Sequence, residues 1–144
     1  MPVTWEELEI GTQTGRTTLA VSDAMLDEYL DIMQLDHKLF EATPGQARLL
    51  PSDMLGKLGM DDLFQNFLMH EVGPNMRAKQ SFVFSGAVHA NQTLTATGYV
   101  VEKYEKRGKN FVTLEAVFRD DKGNALLTDR RTQLMLAEKA AAAE

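Results

Sequence analysis

Beyond Gly73-Pro74 the chain carries the alternation of β-structure almost without interruption, and this long block limits what it can fold into. Ala78, Gln80, Phe82 and Phe84 alternate with Lys79, Ser81 and Val83, the period-two pattern of a strand with one buried face. Residues 93–104, 110–120 and 125–137 read as three further strands, the middle one placing Val112, Leu114, Ala116 and Phe118 on a single face. The turns Arg107-Gly108-Lys109 and Asp121-Lys122-Gly123-Asn124 are short and carry glycine, so the last three strands are expected to form an antiparallel meander. A sheet of this extent needs an apolar element to cover it.

The first half supplies that cover. Gly15 to Val21 is rich in β-branched residues and reads as a strand, and Ser22 then offers a helix N-cap with Asp23 in the first turn. Leu26, Tyr29, Leu30 and Met33 follow at helical spacing while Asp27, Glu28 and Asp31 face away, the pattern of an amphipathic helix. From Leu35 to Pro51 the periodicity stops, and Leu39, Phe40, Leu49 and Leu50 predict an irregular segment that packs on the protein. Pro51-Ser52-Asp53 restarts a helix. Met54, Leu55, Leu58, Met60, Leu63, Phe64, Phe67 and Leu68 make it apolar around much of its circumference, as a buried helix is. Gly56 and Gly59 each cost it roughly 1 kcal/mol relative to alanine, a cost that is offset if they let a sheet come close. The expected class is α+β: one domain over residues 1–144, its long antiparallel sheet wrapped around a central helix.

Composition removes several kinds of function. A net charge of -6 disfavours a broad nucleic-acid footprint, which needs clustered Lys and Arg. With no cysteine there is no disulfide, thiolate metal site or cysteine nucleophile. Met1-Pro2-Val3-Thr4-Trp5-Glu6-Glu7 has neither the basic nor the apolar part of a signal peptide, and no apolar run approaches the roughly 20 residues that span a bilayer. A soluble, cytoplasmic chain is expected. His37, His70 and His89 lack ligand spacing, so no metal site is expected. His70 suits a helix C-terminus, His89 a turn, and Asp61-Asp62 helix capping.

Particular residues carry a resemblance. The run from Gln80 to Val100, an aromatic-rich strand followed by a turn and by Thr93-Leu94-Thr95-Ala96-Thr97-Gly98-Tyr99-Val100, resembles a strand pair of the MaoC-like hydratases and dehydratases. Residues 107–114 resemble that family's next hairpin. The resemblance runs from about Trp5 to Leu136 and implies the hotdog fold. It implies hydration of an enoyl thioester, with coenzyme A present only as part of the substrate and no separate cofactor.

In that family an Asp and, four residues on, a His activate the water as general base and acid. Here the matching positions are Asp36 and Phe40, with His37 where the family commonly has Asn. Asp36-His37 is the candidate pair; the alternative is a loop aspartate that makes an Asx turn beside a surface histidine. The thioester carbonyl would be polarised by a backbone N–H of Ser52, Asp53 or Met54. Phe40 and Gln80 would face the substrate, although an inward Gln80 equally suits a hydrogen bond to backbone at a subunit interface. Arg77, Lys79, Arg107 and Lys109 would hold the coenzyme A phosphates; the alternative is a solvated sheet edge. Phe40 in place of the imidazole keeps two further readings open: a non-catalytic subunit pairing with a catalytic paralogue, and a thioesterase. All three imply a homodimer or heterodimer in which two sheets join edge to edge and no nucleic acid or membrane takes part.

Overall fold

Alternation becomes a five-stranded, wholly antiparallel sheet of order β1-β3-β4-β5-β2. In the computed structural model, which describes residues 3–51 and 53–136, β1 is Gln13–Leu19, β2 Asn75–Phe84, β3 Leu94–Lys106, β4 Lys109–Arg119 and β5 Ala125–Met135. β3, β4 and β5 are the expected meander. Arg107 and Gly108 make its first turn, both with positive φ (53° and 73°), the geometry that suits a two-residue hairpin. Val112, Leu114, Ala116 and Phe118 are fully buried on the inner face.

Helix α1 (Asp23–Ile32) starts where its cap predicts, with the Ser22 hydroxyl accepting from the Met25 N–H at 3.2 Å. Leu26 and Leu30 are buried, whereas Met33, expected on the same face, is exposed because the helix ends there. The irregular segment packs only in part. Phe40 and Leu50 lie against the core, while Leu39 is 72% and Leu49 45% exposed. No helix among the described residues is long and apolar enough to cross a membrane.

Helix α2 (Met54–Leu58) runs on through two π-helical turns, Asp61–Gln65 and Leu68–Val72, to Gly73. Met54, Leu55, Leu63, Phe64, Phe67, Leu68 and Val72 are buried against the sheet, each large side chain contributing about 1.5–3 kcal/mol. Of the apolar positions expected to be buried, Leu58 is exposed, as is Met69 further along.

Glycines on both elements let them touch. Gly15 of β1 pairs with Gly98 of β3, and together they form a notch that receives the helix backbone. A Cβ on Gly15 would overlap the Asp62 carbonyl oxygen, and one on Gly98 would lie 3.0 Å from that of Leu63. Thr14 Oγ1 donates to the Leu63 carbonyl at 2.7 Å, and Thr17 Oγ1 to the Asp62 carboxylate at 3.2 Å. The π-helical turn at 61–65 thus lies where sheet hydroxyls bond it. Gly56 does the same on the other side, where a Cβ would meet the Phe82 ring at 2.7 Å.

Gly15→Ala is expected to lower stability by about 1–3 kcal/mol through overpacking. Urea unfolding reads this as a lower midpoint at unchanged slope; a wild-type midpoint would mean that the helix is not held against β1.

Candidate functional site

Strand β5 has a polar inner face. Asp129, Arg131 and Gln133 point toward the helix and are only 1%, 5% and 5% exposed. Arg131 Nε lies 3.2 Å from both Asp129 carboxylate oxygens, and its Nη2 lies 2.8 Å from Oδ2. The same Nη2 donates to the Gly56 carbonyl at 3.1 Å, tying β5 to α2. The guanidinium lies 5.1 Å from the Phe64 ring centroid, a cation–π contact in a desolvated place. Gln80 Nε2 donates to Asp129 Oδ1 at 3.4 Å. Arg131 Nε and Nη2 and both Asp129 oxygens are met, which offsets much of the cost of burying the pair.

Beside this cluster a crevice of about 160 Å³ runs between α2 and the β2 edge of the sheet. Asp53, Gly56, Lys57 and Met60 form one wall; Arg77, Gln80, Phe82 and Arg131 form the other. Asp53 Oδ1 accepts from the Tyr29 hydroxyl at 2.8 Å, and its Oδ2 lies 3.6 Å from Lys57 Nζ. Burial, and then the bond to the Asp53 carboxylate, push the Tyr29 phenol up to about 12. A larger hollow of about 590 Å³ lies on the outer face of the sheet, floored by Thr113 and Thr132, whose hydroxyls are 2.9 Å apart.

The expected acid–base segment lies elsewhere and is built differently. Asp36 caps the 3₁₀ turn His37–Phe40, its carboxylate accepting from the Lys38 N–H at 2.9 Å. The His37 imidazole turns back to helix α1, with Nε2 at 2.7 Å from Asp31 and Nδ1 at 3.4 Å from Asp27. Asp27 in turn holds Arg48 at 2.8 Å, and that guanidinium keeps the Asp27 carboxyl below the usual range. Among the described residues, neither Asp36 nor His37 bonds the other or any crevice residue. Phe40 is half-buried and packed on the core.

Of the three candidate carbonyl-polarising N–H groups, Ser52 lies outside the described residues. That of Met54 is committed to the Pro51 carbonyl at 3.2 Å, and that of Asp53 meets no described partner.

No family profile and no curated protein sequence matches the chain. Solved structures do. A monoamine oxidase regulatory protein from Archaeoglobus superposes at TM-score 0.77 and 17% identity, covering 93% of this chain and 94% of that one. The C-terminally truncated HadBC complex of Mycobacterium tuberculosis, a (3R)-hydroxyacyl-ACP dehydratase, gives 0.73 at 21% identity over 87% of this chain and 96% of that one. An (R)-hydratase of A. caviae involved in PHA biosynthesis gives 0.67 at 16% identity over 91% and 99%. MaoC-like dehydratases match as well.

The fold is the hotdog fold of the MaoC-like dehydratases.

On this hotdog sheet the four expected phosphate-binding residues fall into separate places. A register shift at Ala78 breaks the phase of β2, so Arg77 sits opposite Gln133 on the inner side while Lys79 sits opposite Thr132 on the outer side. Arg107 occupies the β3–β4 turn and Lys109 begins β4, at the same end of the sheet as Arg77. Other basic residues of that region have structural tasks. Lys103 Nζ donates to the Trp5 and Leu8 carbonyls, and Arg130 is clamped by Glu102 and Glu115, each at 3.0 Å.

Neither Asp129 nor Arg131 stood out in the sequence as part of a buried site. The signal was present in the spacing: Asp129, Arg131 and Gln133 share one face of a strand with strands on both sides.

Because its folded pKa is raised, the Tyr29–Asp53 contact contributes below the ordinary phenol value of 10 and is lost as pH climbs through about 12. Subtracting the near-ultraviolet titration of Tyr29→Phe from that of the wild type should leave a step centred near 12, and Asp53→Asn should move it down. A step at the ordinary value would show that the phenol is neither buried nor bonded.

Proposed function

We propose that this chain is a hotdog subunit of the acyl-thioester hydratase and dehydratase type, one that forms part of a thioester groove while a partner chain supplies the proton-transfer imidazole. The observation that carries this reading is the turn at 36–40. Its carboxylate is committed to a backbone N–H, its imidazole is held outward by two aspartates, and a phenylalanine stands where the second group of the pair belongs. General acid–base catalysis needs both groups within reach of one water, and this turn directs them apart.

The exposed features of the fold support a partner. β2 ends the sheet with one edge unpaired among the described residues, and Met76, Val83 and Phe84 on it are exposed. Leu58 and Met69 leave the far side of the helical segment uncovered. A second hotdog chain joined at β2 would cover these side chains and close the crevice beside them. The HadBC neighbour is itself a complex. Arg107 and Lys109, at the β3–β4 turn, are the residues proposed to meet coenzyme A or carrier-protein phosphate.

Hydration of crotonyl-CoA tests the assignment. The chain alone is expected to be inert, and to become part of an active pair with a hotdog protein that has Asp and His four residues apart. If the chain alone is active, and Asp36→Asn or His37→Ala lowers that activity by roughly 10²–10⁴-fold, the catalytic reading replaces this one.

The association has its own test. Phe84→Glu on the β2 edge is expected to leave the circular dichroism spectrum unchanged and to shift sedimentation toward the 16.1 kDa monomer. Unchanged association in that variant would move the interface away from β2.

A further inference from the structure

We propose that the crevice between α2 and β2 is a carboxylate-binding site. Resting on the thioester reading above, the acyl group then ends in a free carboxylate.

The argument begins with Arg131. Its side chain is 6% exposed and lines the crevice, yet only part of its guanidinium is used. Nε and Nη2 serve Asp129 and the Gly56 carbonyl, whereas Nη1 has no partner among the described residues. A buried donor without an acceptor is costly, and the arrangement gains whenever an acceptor arrives from outside. Arg77, on the same wall, forms no hydrogen bond or ion pair among the described residues.

Charge gives the sign of that acceptor. Lys57, Arg77 and Arg131 face two carboxylates, Asp53 and Asp129. Lys57 lies beside Asp53 and Arg131 is locked to Asp129, so the charge of Arg77 is left over. One monoanion balances it. A phosphate dianion would place its second charge at the same centre, against the Asp53 carboxylate, whereas a dicarboxylate carries its second charge at the far end of its stem.

Geometry gives the class. Guanidinium forks match planar carboxylates, and the apolar ring of Phe82 beside them reduces screening. The volume of about 160 Å³ is several times the roughly 30 Å³ share of one water, enough for a carboxylate and a short methylene stem. Gly56 keeps this space narrow and lets the helix lie on Phe82. The inner-face position of Arg77 depends on the register shift at Ala78; without it, Arg77 would share the outer face with Lys79.

The experiment uses the full chain and two kinds of probe. Free glutarate is titrated while the arginine Nε–Hε signals are followed by NMR, with inorganic phosphate as the comparison. Glutaryl-CoA and valeryl-CoA, which differ at the acyl terminus, are then compared by calorimetry. Glutarate is expected to shift the Arg131 signal saturably where phosphate does not. Glutaryl-CoA is expected to bind on the order of tenfold tighter or more, the scale of a charged hydrogen bond. Arg77→Gln, at an exposed position that leaves the buried pair intact, should remove most of that preference. An Arg131 signal indifferent to glutarate, or responding only to phosphate, overturns the carboxylate site. Equal affinity for the two thioesters overturns its role at the acyl terminus. Glutarate binding with both thioesters silent upholds the carboxylate site and overturns the thioester reading instead.

Discussion

The contact between the helical segment at 54–72 and the concave face of the sheet is the constraint from which the other features follow. Backbone must approach backbone there, and glycine on both sides permits it. Gly15 and Gly98 open the β1–β3 half of the sheet to the carbonyls of Asp62 and Leu63, and Gly56 opens the helix to Phe82. The hydroxyls of Thr14 and Thr17 then bond the segment at the turn where its hydrogen-bond spacing widens. Side chains on these residues would hold the layers apart, and the crevice beside α2 would lose its second wall.

That closeness explains why an ion pair is buried at all. Arg131 reaches the Gly56 carbonyl because the helix lies so near the strand, and Asp129 is enclosed by the same approach. Breaking such a pair from one side costs about 3–5 kcal/mol, because the surviving charge is stranded in a poorly solvating place. The cluster therefore fixes the distance between helix and sheet as well as the chemistry of the crevice. A purely apolar replacement would relieve the first task and erase the second.

Much of the fold was legible in the sequence. Alternation located four strands, Ser22 located a helix start, and the loss of periodicity after Leu35 located the irregular segment. What local pattern could not supply was the order of strands. Arg130 and Arg131 alternate on β5, and only the flanking of that strand by β2 encloses Arg131 on the inner face while Arg130 stays at the surface. The pairing of Asp36 with His37 was undetermined for a similar reason. Adjacent residues in a loop can converge or diverge, and here Asp27 and Asp31, a helix turn apart on α1, draw the imidazole away. Leu39 and Leu49 show the limit of hydrophobicity as a guide, since both are apolar and both face solvent in the single chain.

The register shift at Ala78 bears on association as well as on the faces of β2. A strand that adds to this edge meets residues whose inward and outward alternation changes phase once along its length. A partner with unbroken alternation can match the stretch on one side of the irregularity only, and sliding by one residue exchanges which stretch that is. The edge therefore works as a key with a single notch. A strand added there would be selected by the position of its own irregularity, and the shift works against the indiscriminate strand stacking to which a straight, exposed edge of ten residues would be prone.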